Sequence, residues 1–310
     1  MNASLNLCAS SSPFRLENEQ AYQAWRVRKL DARERIDPTR VFTPDRDGQL
    51  STSDCPALKQ QLQAFNFVLF AANPEEFDKQ AFINLNHQFG LHDPDANLGA
   101  DADRVTALQV VDATDARAQY IPYTNRAMNW HTDGYYNPPE RRINAFALYC
   151  VRPAQRGGGN YLFDHEMMYL LIRDQSPDLL EALLQDDLMH IPANLQGSEV
   201  IRREETGPVF SLQADSAALN MRYTSRPHNI VWKADQRSQR ALNLVREILM
   251  GSDALIDVSL QAGQGMVCNN ILHGRHAFQD VAKHPARLVL RARYRDAINL
   301  SHGLCAENPG

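Results

Sequence analysis

The chain has no C-x-x-C pair, no long apolar run and no excess of positive charge, and each absence removes a class of protein. Its five cysteines, at positions 8, 55, 150, 268 and 305, are odd in number and widely spaced. That pattern argues against a disulfide framework and against a cysteine zinc site, and it predicts free thiols in a reducing compartment. No segment approaches the roughly 18 consecutive apolar residues of a membrane span. The opening MNASLNLCASSSPF lacks the basic segment and apolar run of a secretory signal. The expectation is a cytoplasmic protein with no membrane partner. Lys and Arg number 32 against 37 Asp and Glu, for a net charge of -5. A chain this acidic offers no general basic face for nucleic acid phosphates, so no nucleic acid partner is expected. Oligomeric state is not legible.

What is present suits an ordinary globular protein. Apolar residues make up 44% of the 310 and charged residues 22%, enough for a sizeable core. The first fifteen residues or so read as a loose polar tail. Helical character runs from Glu17 to Arg35, residues 38–52 read as loop, and Ser53 is placed to cap a helix ending near Ala64. FVLFAA at 67–72 suits a buried strand, and Pro74 is expected to open a further helix. From residue 105 short β-rich runs follow: VTALQVVD, AFALYCV, YLF, VFSL and RLVLRARY. Two helical stretches interrupt them, from Asp164 to about Gln185 with a break at Ser176-Pro177, and from Lys233 to Met250. There is no internal repeat and no linker composition. The pattern predicts one α+β domain over residues 1–310. Its core reads as a β-sandwich or a jelly roll flanked by helices, with a helical insertion between core strands.

Three segments carry chemistry. The first is YTNRAMNWHTDGYY, residues 123–136, which holds the only H-x-D in the chain. On an extended strand His131 and Asp133 would share a face, with Asn129 behind them. An imidazole and a carboxylate on one face can offer two ligands to a cation, and a second His would complete a facial triad with open positions. Such a triplet is also met as a strand-end His followed by an Asp capping the Gly134 turn. Tyr135 and Tyr136 follow the motif and either line a substrate pocket or pack for burial. Arg141-Arg142 either forms a solvated pair or reaches an acidic substrate. The second segment runs from Gly263 to Arg295. It offers His273, His276 and His284, then Arg287, Arg291, Arg293 and Arg295 at one parity. Arginines facing a cavity there would need an anion, whereas a solvated edge strand would leave them in water. The third is RGGGNYLFD, residues 156–164. It lacks the Lys-Ser/Thr ending of a phosphate loop.

Together these segments resemble the TauD/TfdA family of Fe(II)/2-oxoglutarate dioxygenases, with relatives such as clavaminate synthase and γ-butyrobetaine hydroxylase. The likeness spans roughly residues 105–295. It implies a double-stranded β-helix core, Fe(II) as metal, and 2-oxoglutarate and O2 as co-substrates. It also implies hydroxylation of an unactivated C–H bond of a small polar molecule, with release of succinate and CO2. The family's H-x-D supplies two iron ligands, here His131 and Asp133. Its distal His stands in H-G-R-x-x-F, matched by His273-Gly274-Arg275-His276-Ala277-Phe278, so the likeness implies His273 as third ligand, with His276 as the main rival. The D-N pair usual before that His is replaced by Val267-Cys268, with Asn269-Asn270 just after. Arg287 stands where the family binds the distal carboxylate of 2-oxoglutarate, and Arg291 where a second Arg touches substrate or co-substrate. Asn160 takes the place of a Thr that helps hold the same carboxylate. Asn129, Tyr135, Tyr136 and Arg291 are the candidates for substrate contact. Competing readings are a zinc hydrolase-like metal enzyme on the same ligands and a non-enzymatic jelly-roll binding protein. The identity of the prime substrate lies beyond these motifs.

Overall fold

The computed structural model describes residues 12–96, 99–196, 199–213, 217–226, 228, 230–281 and 284–306. Ten strands form two facing sheets. In chain order they are β1 (Val41–Phe42), β2 (Phe67–Ala71), β3 (Thr106–Leu108), β4 (Met128–His131), β5 (Ala145–Arg152), β6 (Asn160–Phe163), β7 (Ile256–Val258), β8 (Gln264–Asn269), β9 (Leu272–Arg275) and β10 (Leu288–Tyr294). The larger sheet has the order β1-β2-β8-β5-β10-β3 and the smaller β7-β6-β9-β4. The residues between β6 and β7 carry helices and short strand pairs, so the expected insertion falls between core strands.

Period-two alternation decides which side chains enter the space between the sheets. On β5, Ala145, Ala147 and Tyr149 pack outward against Phe77, Phe82 and Leu85. Phe146, Leu148 and Cys150 turn inward to meet Leu162, Met266 and Val289. On β10 the outward set is Leu290, Ala292 and Tyr294. Arg291 and Arg293 therefore share the inward parity of Val289, and both are buried. Guanidiniums on the inner face of a jelly roll call for partners other than water.

Helices cover the outer surfaces. They are α1 (Glu19–Arg35), α2 (Cys55–Phe65), α3 (Lys79–Gln88), α4 (His165–Gln175), α5 (Pro177–Leu183) and α6 (Gln236–Gly251). The break at Ser176-Pro177 is real: the Ser176 side chain accepts from the Leu179 N–H and starts α5. Helix α1 is anchored to the core by a buried ion pair. Lys29 Nζ lies 2.6 Å from both Asp164 and Glu166, at the point where the insertion leaves β6. Among the described residues no helix is long and apolar enough to cross a membrane.

Several expectations fail for physical reasons. Pro74 does not open a helix; α3 starts at Lys79, where Asp78 accepts from the Ala81 N–H at 2.8 Å. Ser51, not Ser53, makes the cap ahead of α2. The last insertion helix starts at Gln236, where Asp235 accepts from the Ser238 N–H, not at Lys233. Residues 12–15 are not a loose tail. Phe14 is buried, and its carbonyl accepts the Tyr169 hydroxyl at 2.9 Å, while residues 1–11 lie outside the described residues. Cys150 and Cys268 are free, as expected, but Cys55 and Cys305 are bonded to each other. A pair 250 residues apart leaves no trace in local spacing. Cys8 lies outside the described residues.

Candidate metal centre

The end of β4 and the body of β9 build the centre. The two strands pair antiparallel with His131 directly opposite His273, and a register shift between His273 and Arg275 bends β9 at that point. Bulges of this kind re-aim side chains beside functional sites. The imidazole centroids are 4.3 Å apart, and Phe146 lies 4.4 Å from the His273 ring on the inner side. Asp133 is not on the strand, contrary to the simple period-two reading. The strand ends at His131, and Asp133 lies in the turn beyond it. Its carboxylate still comes within 3.8 Å of His131 Nε2. One ligand atom from each of His131, Asp133 and His273 falls within 4.8 Å of the others.

Backbone carbonyls set both imidazoles. His131 Nδ1 lies 2.9 Å from the Asn129 carbonyl and His273 Nδ1 lies 2.9 Å from the Ile271 carbonyl. A carbonyl only accepts, so each Nδ1 carries the hydrogen and each Nε2 keeps its lone pair for a metal. Burial favours the neutral rings. It pushes His131 down to about 3, with the neighbouring His273 adding to the effect, and it lowers His273 as well. Burial would push Asp133 the other way, but Arg291 and then Arg293 outweigh it and hold the carboxyl below its usual range. The set is two neutral nitrogens and one anionic oxygen. Asp133 Oδ2 is buried and has no hydrogen-bond partner among the described residues, as an atom reserved for a cation would.

Asn270 fixes the turn that carries Asp133. Its Oδ1 accepts from the Asp133 N–H at 2.8 Å, and its Nδ2 donates to the Asp133 and Ile143 carbonyls, each at 2.8 Å. The motif reading gave this residue no role. A polar Asn inside the apolar run MVCNNILH, three residues before His273, was the available signal. Gly274 is there for space. A Cβ at that position would stand 2.1 Å from the Tyr161 ring. Arg275 donates to the Thr124 and Arg126 carbonyls at 2.8 and 2.7 Å, tying β9 to the approach of β4.

The cationic residues lie on β10 and just before it. Arg287 is buried, stacks over Phe278 at 5.0 Å, and leaves Nη1 without a partner among the described residues. Arg291 is buried with Nη1 4.0 Å from Asp133 and Nε without a partner among the described residues. Arg293 is neutralised by Asp95 at 2.5 Å and also donates to the Tyr136 hydroxyl at 3.3 Å. This third inward arginine was visible in the parity but not singled out. Asn160 is buried on β6, with Nδ2 donating to the Gly274 carbonyl at 3.2 Å. Tyr135 stands against Tyr136 with ring centroids 5.2 Å apart, and Arg226 reaches its hydroxyl at 3.4 Å. Asn129 is exposed, and what it brings to the centre is its carbonyl. His276 is 60% exposed beside Asp257, and His284 is exposed, so neither joins the set.

These residues fit ferrous iron and a dicarboxylate. The donors are the imidazole and carboxylate types of the facial set that leaves iron three open positions. The unpartnered N–H groups of Arg287 and Arg291 are buried donors awaiting an anion.

Comparison with known proteins agrees. The model of the taurine catabolism dioxygenase TauD, TfdA family matches residues 27–293. A uridine-5'-phosphate dioxygenase from Streptomyces sp is 31% identical over 222 residues, covering 69% of this chain and 78% of that protein. Among solved structures, the non-haem iron oxygenase OrfP with iron, succinate and (3S)-hydroxy-L-Arg superposes with a TM-score of 0.58 at 15% identity, covering 95% of this chain and 92% of that one. PvcB from Pseudomonas aeruginosa gives 0.54 at 18% identity, covering 80% and 81%. At that identity the two structures show the shared fold, and neither the zinc-hydrolase nor the binding-protein alternative gains support. The chain belongs to the TauD/TfdA dioxygenase family and is an Fe(II)- and 2-oxoglutarate-dependent oxygenase.

Proposed function

We propose that His131, Asp133 and His273 hold the iron, that Arg287 clamps the distal carboxylate of 2-oxoglutarate, and that the prime substrate is a nucleoside 5'-phosphate. The convergence of the three donor atoms within 4.8 Å of one another carries the metal assignment. For the clamp, the support is a buried guanidinium with an unpartnered Nη1, lying on an aromatic face. Asn160, whose amide has one N–H committed to Gly274, offers its second to the same carboxylate.

The substrate assignment rests on charge and on kinship. Arg293 pairs with Asp95 and Arg291 lies 4.0 Å from Asp133, while Arg287 keeps an Nη1 without a partner among the described residues. A divalent cation and a dianionic co-substrate cancel each other in charge, so the buried arginines around the centre favour an anionic substrate. The relative that is 31% identical is named for uridine 5'-phosphate. Arg291, Tyr135, Tyr136 and Asn129 are then the residues that meet the substrate.

When bound, the iron couples decarboxylation of 2-oxoglutarate to oxygen activation, giving succinate, CO2 and one oxygen atom for a substrate C–H bond. The protein's own residues do the rest. The carbonyls of Asn129 and Ile271 keep the two Nε2 atoms aimed at one point. Asn270 keeps the turn of Asp133 from swinging out. Burial of Phe146 and the arginines keeps bulk water from the centre, which strengthens every charge interaction in it. We read the chain as one working unit, because donors from β4 and β9 and arginines on and beside β10 meet at one centre. The cytoplasm, where 2-oxoglutarate is consumed, is its proposed location; there the Cys55–Cys305 bond would be subject to reduction.

The experiment is succinate release under air with Fe(II), ascorbate and 2-oxoglutarate, across nucleoside 5'-monophosphates, the matching nucleosides, and amino acids. Uridine 5'-phosphate or a close analogue should accelerate succinate formation well above the uncoupled rate. Stimulation by amino acids and by no nucleotide would refute the substrate assignment.

A further inference from the structure

The Arg141-Arg142 pair divides in the structure. Arg141 is exposed and 3.7 Å from Asp95. Arg142 is half-buried, and desolvation is what lowers its proton affinity; among the described residues its guanidinium has no acid and no hydrogen-bond acceptor. It faces a narrow cleft next to the metal centre, shared with Asp133, Tyr135, Asn137, Asn220 and Arg222. The cleft has room for on the order of two water molecules, the bulk of one small anionic group and not of a nucleoside.

Arg222 is the second cation. Its Nε donates to the Tyr135 carbonyl at 2.8 Å, and its Nη2 lies 3.5 and 3.4 Å from the Met189 and Glu205 carbonyls, which leaves Nη1 without an acceptor among the described residues. Burial lowers its proton affinity, and the charge of Arg142 lowers it further. The Glu205 carboxylate acts on Arg222 only from beyond ion-pair distance. Asn220 adds a neutral donor. It is 6% exposed and lines the same cleft. Two partly desolvated guanidiniums and a buried amide around one small cavity make a setting that favours an anion.

We propose that this cleft is the phosphoryl subsite of the enzyme, with Arg142 and Arg222 supplying charge and Asn137 and Asn220 supplying amide donors. The inference rests on the reading of the substrate as a nucleoside 5'-phosphate and adds to it the place where the phosphate is recognised. It makes Arg142 the residue that separates a phosphorylated substrate from its nucleoside. Arg222 also holds the turn after Asp133 through the Tyr135 carbonyl, so its loss would disturb more than anion binding.

The test uses Arg142→Gln and Arg142→Lys in the enzyme loaded with Fe(II) and 2-oxoglutarate. Calorimetric titration of inorganic phosphate under anaerobic conditions should show binding to the wild type, about tenfold or more weaker binding to Arg142→Gln, and near-normal binding to Arg142→Lys. The KM for uridine 5'-phosphate should rise by a similar factor in Arg142→Gln while that for uridine stays put. No phosphate binding by the wild type, or equal binding by Arg142→Gln, overturns the subsite. So does an equal loss toward uridine and its phosphate. If phosphate binds through Arg142 yet no nucleotide drives succinate formation, the substrate reading falls and the subsite stands.

Discussion

His131 and His273 occupy directly opposed positions on antiparallel strands, with ring centroids 4.3 Å apart. Backbone pairing, not side-chain contact, therefore sets the distance between the two imidazoles. Replacing one ring leaves the other in place. His273→Ala should fold normally yet show no iron-dependent succinate release, whereas His276→Ala should be near wild type. A His276→Ala enzyme as dead as His273→Ala would mean the third ligand had been misassigned.

Asn270→Ala removes three hydrogen bonds from the turn bearing Asp133 and from Ile143. Supporting residues of this kind are typically worth about 10- to 100-fold in metal affinity. Fe(II) or Co(II) titration of the apoprotein should show a loss in that range. An unchanged affinity would mean the turn is held by other contacts.

Arg287→Ala should weaken 2-oxoglutarate by roughly thirtyfold or more, the scale of leaving a buried carboxylate without its cation. Iron binding should be little changed, since Asp133 is balanced by Arg291 and Arg293 and not by Arg287. The anaerobic charge-transfer band of the iron chelate, titrated with 2-oxoglutarate, separates the two effects.

Acid should loosen the apoprotein through the two imidazoles. His131 is depressed to about 3 and His273 is also depressed, both by burial, against about 6.5 in an unfolded chain. Unfolded protein then binds more protons between those limits, so stability falls as the pH drops from about 6.5 toward 3. Denaturant midpoints of the wild type should decline across that window, and those of the His131→Gln variant should decline less. Parallel curves would show that the rings are not buried neutral.

Gly274→Ala puts a methyl 2.1 Å from the Tyr161 ring, so β9 or that ring must shift. Overpacking of this sort costs about 1–3 kcal/mol. The melting temperature should drop, and iron affinity with it, because His273 is the adjoining residue. Rescue by Tyr161→Phe is not expected, since the ring itself is the obstacle; Tyr161→Ala should restore the fold.

Much of the site was legible because its determinants are local. H-x-D and H-G-R each fit within one strand and its turn, and the shared parity of Arg291 and Arg293 follows from strand geometry, whereas Arg287 stands before the strand and before a register shift at Leu288/Val289. The position of Asp133 was harder. The strand stops at His131, and what places the carboxylate is Asn270, a contact across 137 residues. The Cys55–Cys305 bond and the Arg142–Arg222 cleft escaped for the same reason: each joins segments that only the folded chain brings together. The start at Pro74 misled because a proline at a first turn and a proline before a loop look alike until Asp78 is seen capping α3.

The ammonium of Lys29 is 1% exposed and sits against an equally hidden carboxylate at Asp164. A shortened gene product comprising only the span of the three motifs would strip that counterion away and strand a negative charge in the interior, a few residues from Asn160. Dissecting this enzyme into a minimal catalytic fragment is therefore a poor strategy. Helix α1, remote from His131 and His273 in sequence and silent in every motif, supplies the cation that lets Asp164 stay buried.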